Sequence, residues 1–193
     1  NGLYSHYSQG DAKAEIGQKF VYRFDFTNSS NNDIKDDIYD ANSLLKFDGQ
    51  VFNITQIDGK TYIFSGSSTN NFTNSDMQFK MLYAAKKDGS NWLSDSEMKS
   101  TTEDDLIFFK SEDDLKKQLG DSAICVGVLF ESISGIAEAG EGYSVELALE
   151  VTSSGQIGTV YQFVTSSKLY KKDKKLDRTT QTKENPNAQF PLP

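Results

Sequence analysis

The clearest pattern in the chain lies between residues 139 and 165. Tyr143, Val145, Leu147, Leu149 and Val151 alternate there with Ser144, Glu146, Ala148 and Glu150. Period-two alternation predicts a strand with one face on a core and one in water. The turn-forming residues 153–158 follow, and 159–165, with Tyr161 and Phe163 sharing a face, is expected to run back as the second arm of a hairpin. A second alternation occupies 19–27, placing Phe20, Tyr22, Phe24 and Phe26 on one side and Arg23 and Asp25 on the other. Shorter strand patterns are expected at 34–40, 50–57, 61–65, 78–85 and 105–110. Asp58-Gly59 supplies a hairpin turn between the second and third of these. Residues 123–130 are continuously apolar, which predicts a central strand covered on both sides. Ser111 as N-cap, acids in the first turn, Leu115 and Leu119 on one face and Gly120 as the stop predict one short helix.

About nine short strands, one short inserted helix and no βαβ alternation favour an all-β antiparallel sandwich. Its expected core holds Phe20, Tyr22, Phe24, Val126, Val128, Val145, Leu147, Leu149 and Phe163. Residues 1–14 read as a polar N-terminal arm, 15–170 as the sandwich domain, and 171–193 as a polar linker. A basic run from Lys168 to Lys175 leads into the linker, which holds Pro186, Pro191 and Pro193. An edge strand around Lys168–Tyr170 is compatible with that boundary.

A chain of 193 residues, 36% apolar and 12% aromatic, is long enough to close one core. Its net charge of −8 and pI near 4.7 argue against a nucleic-acid partner, since phosphate binders rely on clustered Lys and Arg. The single cysteine, Cys125, rules out an internal disulfide and a cysteine-based zinc site. No stretch approaches the ~20 apolar residues of a membrane span, so no direct membrane insertion is expected. No leader pattern opens the sequence, so for an exported protein the signal and anchor are expected outside it.

Catalytic chemistry finds little support. His6, the only histidine, stands in the polar arm, and a triad would need a firmly positioned base. Cys125 lies in the most apolar run, where a buried, unreactive thiol is expected. Gly135, Gly140 and Gly142 belong to a turn and not to a phosphate loop. Asp33, Asp36, Asp37 and Asp40 form a calcium candidate, set against a solvated edge whose charges discourage pairing. Glu112, Asp113 and Asp114 are explained by the helix N-terminus, and no two acids can be assigned across a glycosidase cleft from sequence. Tyr4, Tyr7, Tyr39, Tyr62, Trp92 and Tyr170 are candidates for a sugar-stacking platform, with rim packing the plainer reading.

The stretches 15–28, 36–40, 139–151 and 157–161, with 81–92 as a middle hairpin, resemble the conserved-repeat, immunoglobulin-like β-sandwich modules of bacterial cell-surface proteins. The resemblance departs from the family pattern at the helix over 111–120 and at the closing phrase. It implies a non-enzymatic, extracellular structural or adhesive module of a Gram-positive-type wall protein. Its partners would be neighbouring modules, or host or wall glycans and proteins. A carbohydrate-binding module is the alternative. Related modules in some cases carry an internal lysine–asparagine or lysine–aspartate amide bond. Lys80 has the most apolar neighbours of any lysine, but the alternation equally leaves its side chain in water.

Overall fold

The computed structural model describes residues 13–65, 77–172, 176–177 and 190–191. His6, Tyr4 and Tyr7, and most of the expected linker, lie outside the described residues. The elements, in chain order, are β1 (Lys19–Thr27), β2 (Ile34–Lys35), β3 (Tyr39–Lys46), β4 (Phe52–Ile54), β5 (Tyr62–Ser65) and β6 (Gln78–Lys86). They continue with α1 (Asp95–Ser100), a 3-10 turn (Glu103–Asp105), β7 (Leu106–Phe109), α2 (Glu112–Leu119), β8 (Gly127–Ser134), β9 (Ile136–Ala137), β10 (Gly142–Val151) and β11 (Val164–Lys171). Last come β12 (Leu176–Asp177) and β13 (Phe190–Pro191), which pair antiparallel. With 47% strand against 12% helix and antiparallel sheets, the chain is all-β in class. It divides into two compact units, each assembled from three separate stretches of sequence.

The first unit takes residues up to Asp33, then 50–77 and 136–159. Its sheet is centred on β10, which pairs with β1 on one side and with β4 and β5 on the other. The β1–β10 register runs unbroken from Lys19↔Glu150 to Thr27↔Gly142. One face gathers Phe24, Tyr143, Val145, Leu147 and Leu149, all buried, with Phe20 and Tyr22 half-buried. Rings interlock there: Phe26 stacks on Tyr143 at 4.9 Å and Phe20 meets Phe52 edge-on at 5.8 Å.

The expected wet face of β10 is instead buried, since Ser144, Glu146 and Ala148 are all out of water. Opposed charge is what makes this tolerable. Glu146 stands directly opposite Arg23, whose Nε donates to Asp25 at 3.2 Å.

The expected hairpin between 50–57 and 61–65 forms as a turn but does not join two sheet neighbours. Asp58 (φ 52°) and Gly59 (φ 77°) make the double positive-φ turn closed by Ile57 and Lys60. Yet β4 and β5 both lie along β10. Thr55 N–H donates to the Ala148 carbonyl and Ala148 N–H donates to the Thr61 carbonyl. They are one strand interrupted by an excursion over 56–60.

The second unit takes 34–49, 78–135 and the residues from Val160 onward. Its antiparallel sheet has the order β11-β3-β8-β6-β7. β8 lies inside the sheet, as the apolar run over 123–130 led one to expect, although the strand proper starts at Gly127. One face carries Leu44, Leu82, Ala84, Leu106, Phe108 and Leu129, with Trp92 and Met98 packed against them. Trp92 N–H donates to the Phe47 carbonyl at 2.9 Å, so the ring is core and not rim.

Four further expectations are corrected in this unit. The stretch 34–40 is not one strand, because a turn at 36–38 separates β2 from β3. β3, buried throughout apart from Tyr39, went unpredicted, its polar Asn42, Ser43 and Lys46 hiding the pattern. A second helix, α1, accompanies the predicted one. It is capped by Ser94, which accepts from Glu97 N–H, and Lys46 Nζ donates to the carbonyl of its C-cap Thr101. The 139–165 hairpin does not exist either: the return segment extends as β11 and pairs with β3, in the other unit's sheet from β10. The helix expected from Ser111 to Gly120 is present, with Ser111 Oγ accepting from Asp114 N–H and Gly120 at φ 111°.

Candidate functional site

A polar row crosses the second unit's sheet. Lys168 of β11 faces Asn42 of β3, Asn42 faces Glu131 of β8, and Glu131 faces Lys80 of β6. Directly opposed residues in antiparallel strands project from the same face, so the four side chains form one line. Phe47 N–H donates to the Val126 carbonyl in the register of the β3–β8 ladder. By alternation Asn42↔Glu131 is therefore a non-hydrogen-bonded pair, the kind whose side chains approach most closely. Two residue pairs further along, and so on the same face, Tyr170 faces Asp40, which accepts from Ser132 Oγ at 3.4 Å.

Exposure is graded along this row. Asn42 (2%) and Glu131 (1%) are buried, Lys80 and Tyr170 are half-buried, and Lys168 is exposed. Asn42 Oδ1 and the Tyr170 hydroxyl find no hydrogen-bond partner, although buried polar atoms are nearly always satisfied. Lys168 Nζ lies 4.7 Å from the Tyr170 ring centroid, a cation–π contact that holds the ammonium beside the row. An amine, a carboxamide and a carboxyl group thus stand on three consecutive strands.

The other candidates disperse. Asp33 accepts from Ala139 N–H at 3.2 Å in the first unit, Asp36 lies in the turn after β2, Asp37 is exposed and Asp40 is buried in β3. Among the described residues no three His, Cys, Asp or Glu side chains come together to hold a metal ion. The segment therefore offers no common cation pocket. Of the aromatic candidates, Tyr39, Tyr62 and Tyr170 are half-buried, and Trp92 is taken up by the core.

Burial pushes the Cys125 thiol up to about 12, and its Sγ donates to the Gly127 carbonyl. Burial lowers the Lys46 ammonium and raises the Glu112 carboxyl. Glu97, salt-bridged to Lys86 at 2.9 Å, is lowered chiefly by that hydrogen bond. Sequence reasoning weighed Lys80 for an internal amide bond, named Asp40, Lys168 and Tyr170 for other purposes, and missed Asn42 and Glu131. Their alignment is a matter of register, which no local pattern records. Compared with protein-family models, curated proteins and solved structures, the chain matches none.

Proposed function

We propose that this chain is a non-enzymatic structural or adhesive module of an extracellular bacterial wall protein, built as an immunoglobulin-like β-sandwich. The observation that supports it best is the Lys168–Asn42–Glu131 row. In this reading the row forms an internal cross-link of the kind such modules carry. The Lys168 amine, after losing its proton, attacks Cγ of Asn42. Glu131 carries the proton that leaves on the amide nitrogen, ammonia departs, and an Nζ–Cγ amide joins β11 to β3. Burial of Asn42 and Glu131 keeps bulk water away from the reacting carbon. A covalent tie between an edge strand and its neighbour stiffens a sheet that has no disulfide to do so.

Intact-mass measurement of the folded protein tests the reading. The expected mass lies below the sequence mass by one ammonia, and Asn42→Ala or Glu131→Ala restores the full value. A wild-type mass equal to that of the sequence sinks the cross-link. A glycan array on the same sample addresses the alternative of a carbohydrate-binding module, for which Tyr39, Tyr62 and Tyr170 remain as half-buried rings.

A further inference from the structure

We propose that the outer edge of β11 takes up an acidic, extended segment of another chain as an added antiparallel strand. The two edges of the second unit's sheet are built differently. β7, on one side, is four residues long and buried throughout, with α2 beside it. β11, on the other, runs eight residues in unbroken register with β3 and is exposed from Thr165 to Leu169. Among the described residues it pairs with nothing but β3.

The register fixes which backbone groups face outward. Lys172 N–H donates to the Ile38 carbonyl at 2.9 Å, continuing the β3–β11 ladder. Alternation then turns the even-numbered residues of β11 toward β3, and the N–H and C=O groups of Ser167, Leu169 and Lys171 away from it. A long edge without proline or bulge is a template for strand addition.

Charge selects the occupant. Lys171 closes the strand and Lys172 follows it in a chain whose net charge is −8, so this end of the edge stands out as cationic against an acidic background. Leu169, 46% exposed, adds an apolar contact two residues away. An antiparallel segment with carboxylates at its N-terminal end meets these lysines directly, whereas a second copy paired about a two-fold axis at the middle of β11 would carry its own lysines to the far end and leave these unmatched. The matching strand thus has acids opposite Lys171 and Lys172 and a small apolar side chain opposite Leu169.

The test uses the full chain and a fluorescent, terminally blocked heptapeptide with that pattern, followed by anisotropy. Saturable binding is expected, weakening about tenfold between ~0.05 and ~0.5 M salt as the exposed charges are screened. Leu169→Pro is the sharp variant, since the N–H it removes points outward and the β3 ladder keeps its bonds. It should abolish binding while leaving the melting midpoint nearly in place. If proline unfolds the protein, Lys171→Glu with Lys172→Glu decides, with at least a tenfold loss expected. Neither variant touches Lys168, so the outcome does not depend on the cross-link. Absence of saturable binding, binding that survives Leu169→Pro in a folded protein, or equal binding of polyglutamate of any pattern would overturn the proposal. So would self-association that competes with the peptide and is lost in Leu169→Pro, since the occupant would then be a second copy.

Discussion

Cys125 shows how completely context decides a side chain's chemistry. Its thiol is buried and held near 12, so the thiolate that reagents attack is scarce at neutral pH, and labelling of the native protein should be slow until denaturant is added. The same shift has a stability consequence with a definite sign. The folded value lies above the ordinary value of 9.0, so stability from the neutral thiol is complete below pH ~9. It is lost as pH rises toward ~12, by up to ~1.4 kcal/mol per pH unit. Urea melts from pH 8 to 11 should show this decline shrinking in Cys125→Ala. At Gly127 the constraint is steric. A Cβ there would sit 2.2 Å from the Leu45 carbonyl oxygen, so Gly127→Ala should cost on the order of 1–3 kcal/mol in the same melts. Leu147, fully buried in β10, should cost about 2–5 kcal/mol on truncation to alanine.

Among the elements, the two helices make a natural experiment in legibility. Ser111 and Ser94 cap α2 and α1 by the same bond, serine oxygen to the N–H three residues on. Ser111→Ala and Ser94→Ala should each destabilise by about 1 kcal/mol, read as a shift in the chemical-denaturation midpoint. Only α2 was visible in advance, because Leu115 and Leu119 give it an apolar stripe, whereas α1 offers Met98 alone. The strands divide the same way. β1, β6 and β7 follow their alternation or apolar run, while β3 places Asn42, Ser43 and Lys46 at buried positions and so resembles a loop. The wet face assigned to β10 failed for a related reason: Glu146 is buried opposite an arginine that lies more than a hundred residues earlier in the sequence. The candidate row was illegible for that cause alone, since Asn42 and Glu131 become neighbours only when β3 and β8 pair.

At the scale of the whole molecule, the order of the chain matters more than any one contact. Each unit is made from three stretches that alternate along the sequence, so neither can be cut out as a continuous fragment. β10 binds β1, β4 and β5 but arrives after residue 141. A fragment ending at residue 135 should therefore lack ordered sheet in the first unit, and β11 with it in the second. Amide proton spectra of that fragment should show the residues of β1, β4 and β5 without the dispersion of a sheet; native-like shifts for them would mean that these strands find another partner.

The excursion between β4 and β5 has a different bearing, on how such a chain can change length. Both ends of the loop are pinned to a single residue, Ala148, so whatever lies between Thr55 and Thr61 leaves the strand on either side in register. Chain can be added there at the modest entropic cost of a longer loop, about 0.6 kcal/mol per doubling. The turn at Asp58-Gly59 is thus a splice point, where new sequence can be displayed without the sheet having to be redesigned around it.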